Sequence, residues 1–239
     1  MRCGTRQLTH VTGIDLGLKD AVTTDNGTKI QNPKFLRRAL KNLRRKQQAL
    51  SRKIEAAKKR CLAAGRPLAD LRQFFGSNIA KARRDLARAH ERVRHARTNW
   101  QHQVSRRLAD DNQAVCAETL NGKGMIQNRP LAQAIADVGW FGLLRHLEAK
   151  MIAQGGYLIR VDRFFPSTKQ CSRCGEKNPD LTLKDRMWTC AACGTCHDRD
   201  INAAINIRQQ GILQLKAAGL SVSAHGGSII PSPGGMVAA

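Results

Sequence analysis

Four cysteines stand as two Cys-x-x-Cys pairs, Cys171 with Cys174 and Cys190 with Cys193, with 15 residues between the pairs. Two such knuckles bring four thiolates within reach of one tetrahedral Zn²⁺, and the interval is long enough for a short hairpin that closes the site. Disulfide bridging is the competing use of paired cysteines, and it belongs to oxidising compartments. The start of the chain does not read as a signal peptide, and Cys3, Cys61, Cys116 and Cys196 show no pairing logic. The spacing therefore predicts one structural zinc in a cytoplasmic protein. Cys196, three residues past Cys193, is a candidate competitor for the metal.

Three acids form the second constellation. Asp15 ends an apolar run, THVTGIDL (9–16), that reads as a buried strand; Glu118 lies near the end of a similar run, QAVCAETL (113–120); Asp200 follows an acidic step into a helix that begins near Arg199. Each has an ordinary alternative: a turn residue, a surface group, a helix N-terminal acid favoured by the helix dipole. Three converging carboxylates without local cations repel, and hard divalent ions accommodate them best. Two Mg²⁺ or Mn²⁺ roughly 4 Å apart suit phosphodiester hydrolysis. At the helix start Asp198 competes with Asp200 for this role.

The elements that must position these groups follow from periodicity. After the first strand, KDAVTTDNGTKI alternates into two more strands around Asp25-Asn26-Gly27. From Leu36 the apolar spacing becomes helical through Leu43, Leu50, Ala57 and Cys61, stops near Gly65-Arg66-Pro67, and resumes after Ser77, the expected N-cap, as far as Trp100. This predicts an antiparallel helical hairpin. Residues 130–154 predict one helix with Pro130 in its first turn, 157–165 a strand, and Arg199 to about Gly219 the last helix. With the hairpin and the cysteine segment set aside, this order of strands and helices is that of an α/β, RNase H-like fold. In that layout Asp15, Glu118 and Asp200 meet at one sheet edge.

The chain has 239 residues with 41 Lys+Arg against 18 Asp+Glu, a formal charge of +23, and is 41% hydrophobic, enough for a folded core. Between Lys34 and Arg107 there are 23 basic residues and four acids, so +19 of that charge lies on the hairpin. A field this one-sided is self-repulsive unless a polyanion neutralises it, which predicts salt-sensitive contact with nucleic-acid phosphates. An anionic membrane is the competing polyanion; no apolar run reaches the length of a spanning helix and the basic helices carry few aromatic anchors, so no membrane partner is expected.

The segments GIDLGLKDAV, CAETLNGKGM, GWFGLLRHLEAK, VDRFFPSTKQCSRCG and CGTCHDRDINAAINI closely resemble the transposon-encoded TnpB (OrfB) family, relatives of the type V CRISPR nucleases. The resemblance is collinear from about Gly13 to about Leu220. It implies an RNA-guided DNA endonuclease of the prokaryotic cytoplasm, with a RuvC-like site formed by Asp15, Glu118 and Asp200, a zinc ribbon that binds target nucleic acid through Cys171, Cys174, Cys190 and Cys193, and guide RNA and unwound DNA as partners. The implied organisation is 1–33 and 110–166 as two parts of the RuvC-like domain, 34–109 the basic hairpin, 167–197 the ribbon, 198–220 the last helix and 221–239 a disordered tail. Family members carry a β-barrel wedge and a helical recognition lobe ahead of the first strand. Met1 lies 14 residues before Asp15, so a truncated copy is expected here. A non-cleaving nucleic-acid-binding remnant and a DDE-type transposase or resolvase are the alternative functions.

Overall fold

VTGID (Val11–Asp15) forms strand β1, with Val11, Gly13 and Ile14 buried, the near-continuous burial of a strand covered on both faces. In this computed structural model, which describes residues 7–182 and 184–223, β1 is the centre of a five-stranded sheet. β2 (Asp20–Thr24) pairs antiparallel with β1, and β3 (Lys29–Gln31) antiparallel with β2. Gly27 takes φ +87° in the turn between β2 and β3, where a side chain would be strained. On the other side β4 (Ala114–Glu118) runs parallel to β1, and β5 (Tyr157–Val161) parallel to β4, giving the order β3-β2-β1-β4-β5.

Two long helices form the hairpin: α1 (Phe35–Ala63), a 3-10 segment at Leu68–Phe74, then α2 (Ser77–Asp110). The far end has its own small core of Leu50, Ala57 and Ile79 with Phe74, Phe75 and Leu86 against it. The N-cap of α2 is Gly76 rather than Ser77; no side chain caps it, and Ser77 is the first helical residue. The last two turns of α2 leave the hairpin and enter the main core, where Val104, Leu108 and Ala109 pack with Ile14, Val22 and Val115. At its base the hairpin is fastened by Asp137, a buried carboxylate that accepts the backbone N–H groups of Leu36 (2.8 Å) and Arg37 (3.0 Å) and lies 3.6 Å from Arg97 on α2. A carboxylate from another helix thus satisfies the orphan donors that start α1.

After β4 and a short helix α3 (Gly122–Gln127), the single helix expected over 130–154 is two helices, α4 (Arg129–Val138) and α5 (Trp140–Ala153). Gly139 at φ +67° separates them, and its carbonyl accepts Gln101 Nε2 at 2.8 Å from α2. A Cβ at this position would lie 2.7 Å from that nitrogen, so the break is set by the passage of α2 and is invisible in the local pattern. Pro130 sits in the first turn of α4 as expected.

The opposite face of the sheet is covered by α6 (Arg199–Ala217). Between β5 and α6 lies the cysteine segment, with its own two-stranded sheet of β6 (Met187–Thr189) and β7 (Cys196–Asp198). Ser221–Ser223, expected to be disordered, run beside Leu8: Leu8 N–H donates to Ser221 and Ser223 N–H to Leu8. The rest of the expected disordered tail, residues 224–239, lies outside the described residues. Among the described residues no helix is long and apolar enough to cross a membrane.

Candidate metal and nucleic-acid site

Asp15 and Glu118 are brought together by register. β1 and β4 pair in parallel through Ile14 opposite Ala117, so the next residues, Asp15 and Glu118, are neighbours at the C-terminal edge of adjacent strands. Their common face is the one that meets α6. Gly13, two residues before Asp15, faces α6 so closely that a Cβ would lie 2.0 Å from the Ala204 carbonyl oxygen. Gly211 of α6 approaches Cys116 likewise, a Cβ there falling 2.2 Å from its Sγ. These two glycines, one on each element, let the helix lie flat on β1 and β4 with its first turn, carrying Asp200, beside the strand ends.

Asp15 feels the other two carboxylates. Asp15 is pushed up to about 8, first by burial and then by the negative charges of Glu118 and Asp200, with Arg199 opposing and Asp198 adding. Burial also raises Glu118, against a backbone N–H bond from Leu16. Three half-buried acids, from two strands and a helix terminus, are the hard oxygen donors that divalent cations take, although among the described residues the four ribbon cysteines are the only group of three or more whose ligand atoms all lie within 4.8 Å of one another.

Asp198 and Asp200 are employed differently. Asp198 is the N-cap of α6: its Oδ1 accepts the N–H of Asp200 (3.0 Å) and of Ile201 (3.1 Å), and its Oδ2 accepts Lys29 Nζ at 2.7 Å. Its burial works upward, but the Lys29 and backbone donors outweigh it and hold the carboxyl below the usual range. Asp200 instead faces two guanidinium groups, Arg186 of the ribbon at 3.1 Å and Arg199 at 3.2 Å. Both cations, and Lys29, escaped the sequence reading. Basic residues beside acids were a possible signal, but their pairing depends on how the ribbon folds back.

Cys171, Cys174, Cys190 and Cys193 form a cluster whose sulfurs all lie within 4.8 Å of one another. Cys171 and Cys193 are 3.7 Å apart and Cys174 and Cys190 3.6 Å, close to the edge of a tetrahedron built on Zn–S bonds of about 2.3 Å. The donor set therefore fits zinc. Hydrogen bonding with the side chain and backbone of Thr195 pulls the Cys193 thiol down, toward the thiolate a metal needs, while Cys174, against its Glu176 backbone bond, is pushed up by burial and the neighbouring thiols. Cys196 is exposed and outside the cluster. One further ribbon residue went unread: His197 is buried, lies against Trp188 with ring centroids 4.8 Å apart, and places Nε2 3.1 Å from Cys171 Sγ. Burial lowers its pKa, so a neutral imidazole buttresses that ligand.

The ribbon is clamped to α6 by two asparagines one helical turn apart. Asn202 accepts the Ser172 N–H (2.9 Å) and donates to the Gln170 carbonyl (2.7 Å), while Asn206 donates to the carbonyls of Ser167 (2.7 Å) and Gln170 (2.6 Å). Both are buried, which accounts for amides in the midst of Asn-Ala-Ala-Ile-Asn.

A family model of the OrfB proteins of IS605 elements, described as "Probable transposase", matches residues 5–129, and one described as "Cas12f1-like, TNB domain" matches 140–207. The chain is 39% identical over 223 residues to a "Putative RNA-guided DNA endonuclease" of Streptomyces pristinaespiralis, covering 93% of this chain and 48% of that one. It is 24% identical to InsQ of Escherichia coli, which carries the same description, over 83% of this chain and 48% of that one. The chain thus spans about half the length of these curated relatives. Among solved structures, the chain of a CRISPR-Cas12f ternary complex superposes with a TM-score of 0.55 at 18% identity, covering 87% of this chain and 40% of that one, a likeness of fold. The match to more than half of its length shows that this chain belongs to the OrfB (TnpB) family of IS605 elements.

Proposed function

We propose that this chain is the RuvC-like nuclease portion of an RNA-guided DNA endonuclease, cutting single-stranded or unwound DNA by phosphodiester hydrolysis. One observation carries the reading: register sets Asp15 beside Glu118 at the sheet edge to which α6 brings Asp200, and burial, with the negative charges of Glu118 and Asp200 adding to it, lifts Asp15 to about 8. The strand order β3-β2-β1-β4-β5, antiparallel then parallel, supports an RNase H-like fold for residues 1–33, 110–166 and 198–220, with 34–109 and 167–197 as insertions.

In this reading Asp15 and Glu118 hold Mg²⁺ or Mn²⁺ from the sheet and Asp200 from the helix. Bound there, the two ions would supply Lewis acidity and a lowered water pKa. Arg186, exposed on the ribbon and now paired with Asp200, offers its free guanidinium donors to a phosphate entering the groove. Asp198 stays with its capping and Lys29 bonds and acts as a positioning residue. Cys171, Cys174, Cys190 and Cys193 hold a structural zinc. The basic hairpin contacts the backbone of DNA or guide RNA; the guide is proposed because the relatives are described as RNA-guided.

The test is nicking of single-stranded DNA with Mg²⁺ or Mn²⁺. Asp15→Ala, Glu118→Gln and Asp200→Asn should each lower the rate by at least about 100-fold. Equal nicking by wild type and Asp15→Ala sinks the proposal. A protein that binds DNA but never cuts it would instead fit the second reading, a binding-only role favoured by the +19 hairpin.

A further inference from the structure

Phe164 stands 76% exposed, more than any other large apolar side chain among the described residues. It is held there by its loop. Its N–H donates to Asp162 Oδ1 at 2.7 Å, the Phe165 N–H donates to the Asp162 carbonyl, the Ser167 N–H donates to the Phe165 carbonyl, and Pro166 stiffens the turn. Phe165 points inward to the cluster of Val161 and Ile207 while Phe164 points out. The Arg163 guanidinium lies over one face of its ring, 4.3 Å from the centroid, and at this exposure the other face is open.

This ring borders a groove of about 550 Å³ whose walls include Arg163, Pro166 and Lys169 on one side and Leu181 and Thr182 of the ribbon on the other. No acid is among the described residues that line it, although Asp162 accepts the Phe164 N–H and Asp185 the N–H and hydroxyl of Thr182. The groove adjoins the carboxylate edge by two routes. Val161 pairs in register with Glu118, and Phe164 is three residues on, at most about 11 Å of chain. From the ribbon side, Arg199 donates to the Thr182 carbonyl at 3.4 Å and pairs with Asp200.

An open aromatic face with flanking cations is the arrangement that seats single-stranded nucleic acid. We infer that this groove stacks one unpaired DNA base on Phe164, with Arg163 and Lys169 on the adjoining phosphates, and so fixes the register of the strand at the Asp15–Glu118–Asp200 edge. The identity of the strand rests on the DNA-cleavage reading above, whereas the test does not need cleavage.

The full zinc-loaded chain, without added Mg²⁺ or Mn²⁺, is titrated into a labelled DNA strand of roughly 12 nucleotides and followed by fluorescence anisotropy. Phe164→Ala should weaken binding roughly 5- to 100-fold and Phe164→Trp restore it. On a strand of equal length made wholly of abasic sites, wild type and Phe164→Ala should bind alike. The same pattern should appear in an Asp15→Ala background, and absence of cleavage by the wild-type chain together with a retained Phe164 effect counts against the nuclease reading only. Wild-type-like affinity of Phe164→Ala, a penalty that persists on the abasic strand, or a penalty seen with RNA but not DNA overturns the inference. Because the side chain is exposed, Phe164→Ala should melt with wild type, and a large drop in its melting temperature would mark a structural role and overturn the inference as well.

Discussion

Asp25 shows how burial and pairing share one carboxyl. It accepts the Gly13 N–H at 3.1 Å and lies 3.5 Å from Arg208, which also donates to the Val11 carbonyl. Burial nonetheless wins and holds it above its ordinary 3.8, against Arg208 and the Gly13 N–H. A raised carboxyl binds its proton more readily in the folded chain. Its stability contribution is therefore full below about pH 3.8 and declines as pH rises toward the folded value. Asp25→Asn should remove that decline, so that urea unfolding shows the variant gaining on wild type as pH rises above about 3.8. Arg208→Met leaves the carboxylate without its cation in a nearly buried place and should cost about 3 kcal/mol at pH 7. For the two acids at the start of α6, Asp198→Ala should cost about 1 kcal/mol through the lost cap. A thermal melt of Asp198→Ala equal to wild type would contradict the capping role.

At the scale of elements, the meeting of α6 with β1 and β4 depends on missing side chains. Gly13→Ala should destabilise by about 3 kcal/mol or prevent folding, because the clash is with a backbone carbonyl that cannot swing away. A soluble variant of wild-type stability would show that the helix can lift without penalty. The ribbon makes a separate prediction: one zinc per chain, with chelation or Cys190→Ser removing hydrogen-exchange protection from residues 167–198. Zinc-free protein with an ordered ribbon would refute it. Much of this was legible in the sequence. Asp15 and Glu118 close apolar runs of strand length, and Cys-x-x-Cys spacing is metal geometry written in residues. Gly139, Asp137 and His197 were not legible, because each is explained by a partner more than 25 residues away: Gln101, the N-terminus of α1, and Cys171. Ser77 looked like a cap because its type is right, yet Gly76 at ψ 175° already turns the chain into the helix.

At the scale of the whole molecule, charge is segregated rather than spread. Lys41, Arg44 and Arg45 are among the exposed basic residues of α1, while the carboxylates of the candidate site gather on the sheet edge. Binding of single-stranded nucleic acid should therefore weaken steeply with salt, and replacing Lys41, Arg44 and Arg45 by Gln should reduce the slope of log K against log salt by about 2. An unchanged slope would place the phosphate contacts elsewhere. The direct passage of β7 into α6, with Asp198 ending the one and capping the other, has a physiological consequence. The proposed third acid stands on the first turn of α6, directly after the ribbon's last strand and paired with Arg186 of the ribbon, so a cell short of zinc would make a chain whose carboxylate site lacks its ribbon contacts. On this reading trace-metal supply, as well as magnesium, decides how much of the expressed protein can cut DNA, and a mobile element carrying it would be quieter in a zinc-starved host.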